Sequence, residues 1–301
     1  MTLTTVPMSI DVGGRSRTLS LVEGAAAPGR ALLLVFHGSK QTGVAHRRFT
    51  GGSFDALAES GAAVVAYLDG YQRNWNDARK ESAFPARVEN VDDVSFTRRV
   101  IADLVASHDI DPRRVYAAGY SNGGQMVLRL LHEAPELFAG VAIVAATMPV
   151  PESFLAPASD PEPVPTPVLL IHGTRDPVVP YEGGRFPAWV RRFLKVDGVG
   201  RSAPETARYL ARRNGILGDP VVADLPTGGQ HRARTWVEQT DFREEGRPPV
   251  RLLTVHGGGH TVPGPRRAPF VLGRTAQDIS AAPLLAEFLE ITASGGRRLS
   301  A

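Results

Sequence analysis

Residues 119–123, with the sequence Gly-Tyr-Ser-Asn-Gly, form the segment with the clearest potential for chemistry. The apolar run before it predicts a short buried strand, and the residues after it predict the start of a helix. A serine at such a junction lies on a sharp turn that exposes its hydroxyl above a sheet. The crowded turn requires residues without side chains two positions before and after the serine, where Gly119 and Gly123 occur. Ser121 is therefore the candidate nucleophile.

A serine nucleophile needs a base that accepts its proton and a third group that orients the base. In sites built on such a turn, the acid and then the histidine follow the serine along the chain. Asp176 comes just after a predicted strand and is the candidate acid. His260 is the candidate base because three preceding glycines permit the bends that bring it beside Ser121. His256, at a strand end, is the alternative base.

The negative oxygen of a tetrahedral intermediate requires preorganised backbone donors. One candidate donor is the N–H of Asn122, at the N-terminus of the predicted helix. The second is expected in the loop after an earlier apolar strand, where Gly38 permits a tight bend and Ser39 is the candidate donor. The alternative is an ordinary glycine turn. His37 in this loop, and His172 at another strand end, are expected to brace their surroundings.

Composition places the chain among ordinary globular proteins, with 301 residues, 43% hydrophobic and 22% charged. The net charge is +3 and the basic residues are scattered, so a nucleic-acid partner is not expected. The chain has no cysteine, which excludes disulfides and thiolate metal sites. Its eight histidines show no helical ligand spacing, so neither a metal nor another cofactor is predicted.

The N-terminus lacks the charged and then apolar pattern of a signal peptide, and no apolar run is long enough to span a bilayer. A cytoplasmic location without a membrane partner is therefore the expectation. A secreted protein from which a leader has been removed is the alternative. The oligomeric state is left open.

Continuous apolar runs, typical of strands buried on both faces, alternate with segments of helical periodicity. Strands are predicted at 4–11, 17–23, 31–36, 62–68, 114–118, 141–146, 168–171, 221–225, 232–239 and 250–255. This alternation predicts an α/β fold with a mostly parallel, doubly wound sheet and helices on both faces. We see no repeat and no second core, so 1–301 is predicted to be a single domain. The aromatic-rich segment 182–202 is interpreted as a lid or cleft-lining excursion, with a packed surface excursion or a dimer contact as alternatives.

Six segments follow one another in a recognisable order. They are His37-Gly38, Trp75-Asn76-Asp77, Val91-Asp92-Asp93-Val94-Ser95-Phe96, 111–116 running into 119–124, 171–181 and 257–264. Through these motifs and their order, the chain resembles the polyhydroxybutyrate-depolymerase-type esterases of the α/β-hydrolase superfamily. This group also includes feruloyl and acetyl-xylan esterases. The resemblance covers most of the span from about 31 to 290 and implies an α/β-hydrolase fold.

The resemblance implies a triad of Ser121, Asp176 and His260, and it favours His260 over His256 as the base. It also implies that the loop holding Trp75 lines the substrate cleft. The alternative is a buried tryptophan that pins a long loop.

Three further substrate contacts are predicted, at Tyr120, Tyr181 and Val262. Val262 stands where the family usually has tryptophan, and Ser39 stands where many members have cysteine. No polymer-binding module is visible. These departures favour a soluble ester over a solid polymer.

The sequence therefore predicts a serine carboxylic ester hydrolase that acts through an acyl-enzyme. Its expected substrates are small or oligomeric soluble esters, with feruloyl, acetyl, short-chain acyl or hydroxyalkanoate groups. An acyltransferase or a peptidase with the same triad is one alternative. A non-catalytic binding protein is the other, and the presence of all three triad residues argues against it.

Overall fold

The computed structural model describes residues 3–24, 27–155, 162–194, 196–225 and 234–293. The strands in these ranges are β1 (Thr4–Val12), β2 (Arg15–Glu23), β3 (Arg30–Phe36), β4 (Ala63–Leu68), β5 (Ile110–Tyr120), β6 (Gly140–Val144), β7 (Val168–Gly173), β8 (Gly184–Arg185), β9 (Val199–Gly200), β10 (Val221–Asp224), β11 (Trp236–Phe242) and β12 (Val250–His256). The α-helices are α1 (Gly43–Phe49), α2 (Asp55–Glu59), α3 (Pro85–Val88), α4 (Asp93–Ser107), α5 (Asn122–Glu133), α6 (Ala188–Leu194), α7 (Ala203–Arg213) and α8 (Ala281–Phe288). Short 3₁₀ helices occur at Tyr71–Arg73, Pro135–Leu137 and Phe270–Leu272.

Ten of the described strands form one sheet in the order β1-β2-β4-β3-β5-β6-β7-β12-β11-β10. The middle of the sheet, from β4 to β12, is parallel. The flanking strands pair antiparallel on both sides. This arrangement confirms the predicted mostly parallel sheet. Because parallel strands end at one edge, the loops after β3, β5, β7 and β12 meet there, where ligands bind in open α/β sheets.

The core consists of two apolar layers, one on each face of the sheet. Leu32, Leu34 and Phe36 of β3 belong to one layer, which α4, α5 and α7 cover. Leu33 and Val35 point to the other layer, which α2 and α8 cover. Successive side chains of a strand face opposite sides, and here both sides are buried. The predicted covering of both faces is confirmed, and it explains the continuous apolar run.

Helix α1 and strand β11 differ from the pattern expected from the sequence. Helix α1 was not predicted, because only Gly43 and His46 are buried in it and no apolar period marks it. Its start is fixed by Thr42, whose side chain accepts a hydrogen bond from the Ala45 amide at 3.2 Å. The strand predicted at 232–239 begins at Trp236, and its first two positions lie outside the described residues.

Within the described ranges, no helix combines the length and apolar character needed to cross a membrane.

Candidate active site

Ser121 lies at the turn between β5 and α5, with its side chain half-buried. Its backbone angles are φ 55° and ψ −116°, which a residue with a side chain adopts only under strain. The Ser121 amide donates to the Val144 carbonyl of β6 at 2.9 Å, so the turn is attached to the sheet.

The two glycines that flank Ser121 are required by close packing of the backbone. A Cβ atom on Gly119 would lie 2.3 Å from the Gly123 oxygen. A Cβ atom on Gly123 would lie 2.1 Å from the Phe36 oxygen of β3. Any larger residue at either position would therefore push α5 away from the strands that hold the serine.

Asp176 follows β7 and is buried, with both carboxylate oxygens occupied. Its Oδ1 accepts hydrogen bonds from the amides of Val178 and Val179 at 2.7 and 2.8 Å. Its Oδ2 accepts a hydrogen bond from His260 Nδ1 at 2.7 Å. Burial alone would raise the pKa of Asp176, but the imidazole of His260 and these hydrogen bonds outweigh it and hold the pKa below the usual range. Asp176 is thus an ionised acceptor.

His260 follows β12 and connects Asp176 to Ser121. Its Nε2 lies 2.8 Å from Ser121 Oγ, and its side chain is almost fully buried. Since the ionised carboxylate accepts from Nδ1, the proton of the neutral imidazole lies on Nδ1. Nε2 is then free to accept the serine hydroxyl proton.

The loop around His260 is held by hydrogen bonds on both sides. The His260 amide donates to the Leu272 carbonyl at 2.6 Å, and the Tyr120 hydroxyl donates to the His260 carbonyl at 2.7 Å. A Cβ atom on Gly259 would lie 2.1 Å from the Leu272 oxygen. The glycine that precedes His260 therefore allows the close approach that fixes this backbone.

The structure brings Ser121, Asp176 and His260 together and leaves the alternative base away from them. The ring of His256 stacks on Trp236, with centroids 3.7 Å apart and planes 6° apart. No described contact joins His256 to Ser121.

Two other histidines support the loops, as expected. His172 Nε2 lies 3.0 Å from the Val179 carbonyl and 3.5 Å from Asp176 Oδ2. Burial lowers the pKa of His172, so the neutral imidazole donates to that carbonyl and steadies the acid loop. His37 accepts a hydrogen bond from the Gly70 amide at 2.9 Å, and burial lowers its pKa to about 4.

The two predicted oxyanion donors lie after adjacent strands, because Phe36 of β3 pairs with Gly119 of β5. Asn122 is the first residue of α5, where the amide has no acceptor within the helix. Ser39 lies in the turn after β3, and no described residue accepts a hydrogen bond from its amide. Both amides are therefore available to a ligand.

The side chain of Asn122 is part of a buried network that the sequence did not reveal. Its Oδ1 accepts a hydrogen bond from the Trp75 amide at 2.9 Å, and its Nδ2 donates to Asp77 Oδ2 at 2.5 Å. Asp77 also pairs with Arg79. This network holds the side chain of Asn122 through both its oxygen and its nitrogen. Only the resemblance of Trp75-Asn76-Asp77 to a known motif pointed to this loop.

Three of the four predicted substrate contacts are buried in the structure. Trp75 is 0% exposed, and its Nε1 donates to the His37 carbonyl at 2.9 Å, so it pins the long loop. Val262 is buried in the core, and Tyr120 packs its ring against the imidazole of His260 at 5.1 Å. Tyr181 is half-buried, and its hydroxyl lies 2.9 Å from Thr254 Oγ1.

Segment 182–202 contains α6 and the small β8–β9 hairpin, and it packs on the acid loop. Phe186 and Val190 are buried together with Val178 and Val179. A small space of about 10 Å³ separates this segment, at Phe186 and residues 197–200, from Gln125 of α5. Trp189 and Phe193, in contrast, are exposed.

Across the described ranges, no group of three or more His, Asp or Glu side chains is arranged to hold a metal ion.

The known proteins that this chain resembles are consistently described as esterases. Residues 63–193 match the family model described as Phospholipase/Carboxylesterase. The chain is 33% identical to the proposed esterase NocK of Nocardia uniformis subsp. tsuyamanensis, over 95% of this chain and 83% of that protein. It is 29% identical to feruloyl esterase B of Piromyces equi, over 78% of this chain but only 40% of that protein.

The fold is also shared with a solved structure. The acetyl xylan esterase from Aspergillus awamori superposes with a TM-score of 0.63 at 14% identity, covering 97% of this chain and 100% of that one. The architecture is therefore that of an α/β-hydrolase. The chain belongs to the polyhydroxybutyrate-depolymerase and feruloyl-esterase type of esterases within that superfamily, as the resemblance predicted.

Proposed function

We propose that this esterase hydrolyses carboxylic esters by nucleophilic catalysis through Ser121. The observation that carries the proposal is the continuous line of hydrogen bonds from the Asp176 carboxylate through His260 to the Ser121 hydroxyl, at 2.7 and 2.8 Å. Each member is oriented for one role: nucleophile, base and orienting acid.

In the first half-reaction, Ser121 Oγ attacks the ester carbonyl carbon as its proton passes to His260 Nε2. The ionised Asp176 stabilises the imidazolium that forms. The carbonyl oxygen becomes negative and accepts hydrogen bonds from the Asn122 and Ser39 amides. When the intermediate collapses, the carbon–oxygen bond to the alcohol breaks and His260 returns the proton to the departing oxygen. The acyl group remains on Ser121.

In the second half-reaction, water takes the place of the alcohol. His260 Nε2 accepts a proton from the water as its oxygen attacks the acyl carbon, and the same two amides hold the negative oxygen. The bond to Ser121 Oγ then breaks, His260 returns the proton to that oxygen, and the carboxylic acid leaves. The enzyme is restored to its starting protonation state.

We further propose soluble esters with small acyl groups as the substrates, among them acetyl and short-chain acyl esters, feruloyl esters and hydroxyalkanoate oligomers. The esterase names of the relatives support the ester class. The same three residues would also serve an acyltransferase, in which an alcohol or amine replaces water.

A Ser121→Ala variant tests the mechanism, with hydrolysis of p-nitrophenyl acetate as the assay. We expect the variant to lose roughly 10⁵-fold in kcat, because the nucleophile and its base act as a unit. Ser16→Ala, in the exposed β1–β2 hairpin, is the matched control and should retain full activity. Retained hydrolysis in a folded Ser121→Ala protein would exclude the mechanism. A panel of acetyl, butyryl, long-chain, feruloyl and hydroxybutyrate esters would define the acyl preference.

A further inference from the structure

A basic cavity lies at the carboxyl edge of β7 and β12, and the proposed mechanism does not use it. Its volume is about 310 Å³, within the range of small-molecule sites. Three arginines line it, Arg175, Arg234 and Arg274. Two of them, Arg234 and Arg274, also line an adjoining cavity of about 650 Å³. None of the lining residues is Ser121, Asp176 or His260.

The three arginines have no acidic partners in the described parts of the chain. No Asp or Glu oxygen there lies within ion-pair distance of Arg175, Arg234 or Arg274. By contrast, Arg251 on β12 pairs with Asp241 at 2.6 Å. Asp278 is the carboxylate that lines the adjoining cavity. Three exposed guanidinium groups without an ion-pair partner among the described residues line one concave space, and this favours an anionic ligand.

A flat aromatic surface forms part of the same wall. One face of the Trp236 indole is stacked on the His256 imidazole at 3.7 Å, and the residue is still 46% exposed. The stack holds the indole in place, and about half of the residue stays accessible. Such a fixed surface suits a planar ring, since aromatic rings stack at 4.5–7 Å between centroids.

We propose that this cavity binds an aryl carboxylate. The carboxylate is held by the guanidinium groups of Arg175, Arg234 and Arg274, whose planar forks match the two carboxylate oxygens. The aromatic ring packs against the exposed part of the Trp236 indole. The site is separate from the ester-cleaving centre, although Arg175 immediately precedes Asp176 in the same loop.

Calorimetric titration of the purified protein with benzoate tests the proposal without any hydrolysis, so the result is independent of the mechanism proposed for Ser121. We expect benzamide, which has the same shape but no charge, to bind about tenfold more weakly or worse. Arg234→Gln and Arg274→Gln should each weaken benzoate binding by about tenfold or more. Arg208→Gln, on the exposed side of α7, is the matched control and should leave the affinity unchanged.

Two variants test the aromatic surface. Trp236→Leu should weaken benzoate binding by about fivefold, while Trp236→Phe should retain most of the affinity. Thermal unfolding of each variant without ligand shows that the fold is intact. Inorganic phosphate should bind more weakly than benzoate because it has no ring.

Several outcomes would overturn the proposal. One is equal binding of benzoate and benzamide, and another is unchanged affinity in both arginine variants. Unchanged affinity in Trp236→Leu, or phosphate binding as tight as benzoate, would exclude an aryl ligand. The absence of saturable binding up to about 10 mM benzoate would reject the site altogether.

Discussion

Replacing Asp176 by asparagine tests how the imidazole of His260 is oriented. The Oδ1 position of Asp176 accepts hydrogen bonds from the amides of Val178 and Val179. In Asp176→Asn the side-chain oxygen must occupy that position, since an NH₂ group there would face two donors. The amide nitrogen then takes the Oδ2 position, 2.7 Å from His260 Nδ1.

The consequence is a change of tautomer. An NH₂ group at the Oδ2 position donates a hydrogen bond, so Nδ1 must accept it and the imidazole proton moves to Nε2. Nε2 can then no longer accept the proton of Ser121, and the proposed base is lost. We expect kcat to fall by about 10⁴-fold, which corresponds to about 5 kcal/mol of transition-state stabilisation.

The assay is the initial rate of p-nitrophenyl acetate hydrolysis at neutral pH. Asp219→Asn is the matched control, because Asp219 is exposed and no described residue pairs with it; this variant should keep the wild-type rate. Far-UV circular dichroism and the thermal midpoint should show that both variants are folded. A decline of less than about tenfold in a folded Asp176→Asn protein would refute the role given to the carboxylate.

Three further predictions concern stability. Ser121→Gly should raise the free energy of unfolding by about 1 kcal/mol relative to Ser121→Ala, because only glycine relieves the strain at φ 55°; equal urea midpoints would contradict this. Tyr120→Phe should cost about 1–3 kcal/mol in urea denaturation, since it leaves the buried His260 carbonyl without its donor, and a cost near zero would show that the bond is unimportant. Burial lowers the pKa of His37 to about 4 and that of His46 to about 3, so each binds a proton more readily in the unfolded state. Stability should therefore fall as the pH drops below about 6.5, by about 2 kcal/mol for each histidine at pH 5. In His46→Gln, the free energy of unfolding should fall between pH 7.5 and pH 5 by about 2 kcal/mol less than in the wild type. An equal fall in both proteins would contradict the assignment.

The fold class and the chain order of the reactive residues could be predicted because both depend on local patterns. A continuous apolar run such as 31–36 indicates a strand covered on both faces, wherever its neighbours come from in the chain. The glycines around Ser121 indicate the tight turn, since a Cβ atom at either position would meet backbone about 2 Å away. These signals are contained within a few consecutive residues.

Contacts between distant segments could not be predicted in the same way. Whether a side chain such as Trp75 lines a cleft or lies in the core depends on which remote residues cover it, and its own sequence context left both alternatives open. Helix α1 was missed because it buries little of its surface, so no apolar period marks it.

The sequence by itself determined which residue types follow which strands, and therefore which chemistry was available. Only the tertiary structure decided that His260 meets Ser121, 139 positions away, and that the proton of its neutral imidazole lies on Nδ1. It also decided that three arginines from separate loops share one cavity. The physical reason is that distances between loops are set by the packing of the whole sheet, and no short stretch of sequence contains that information.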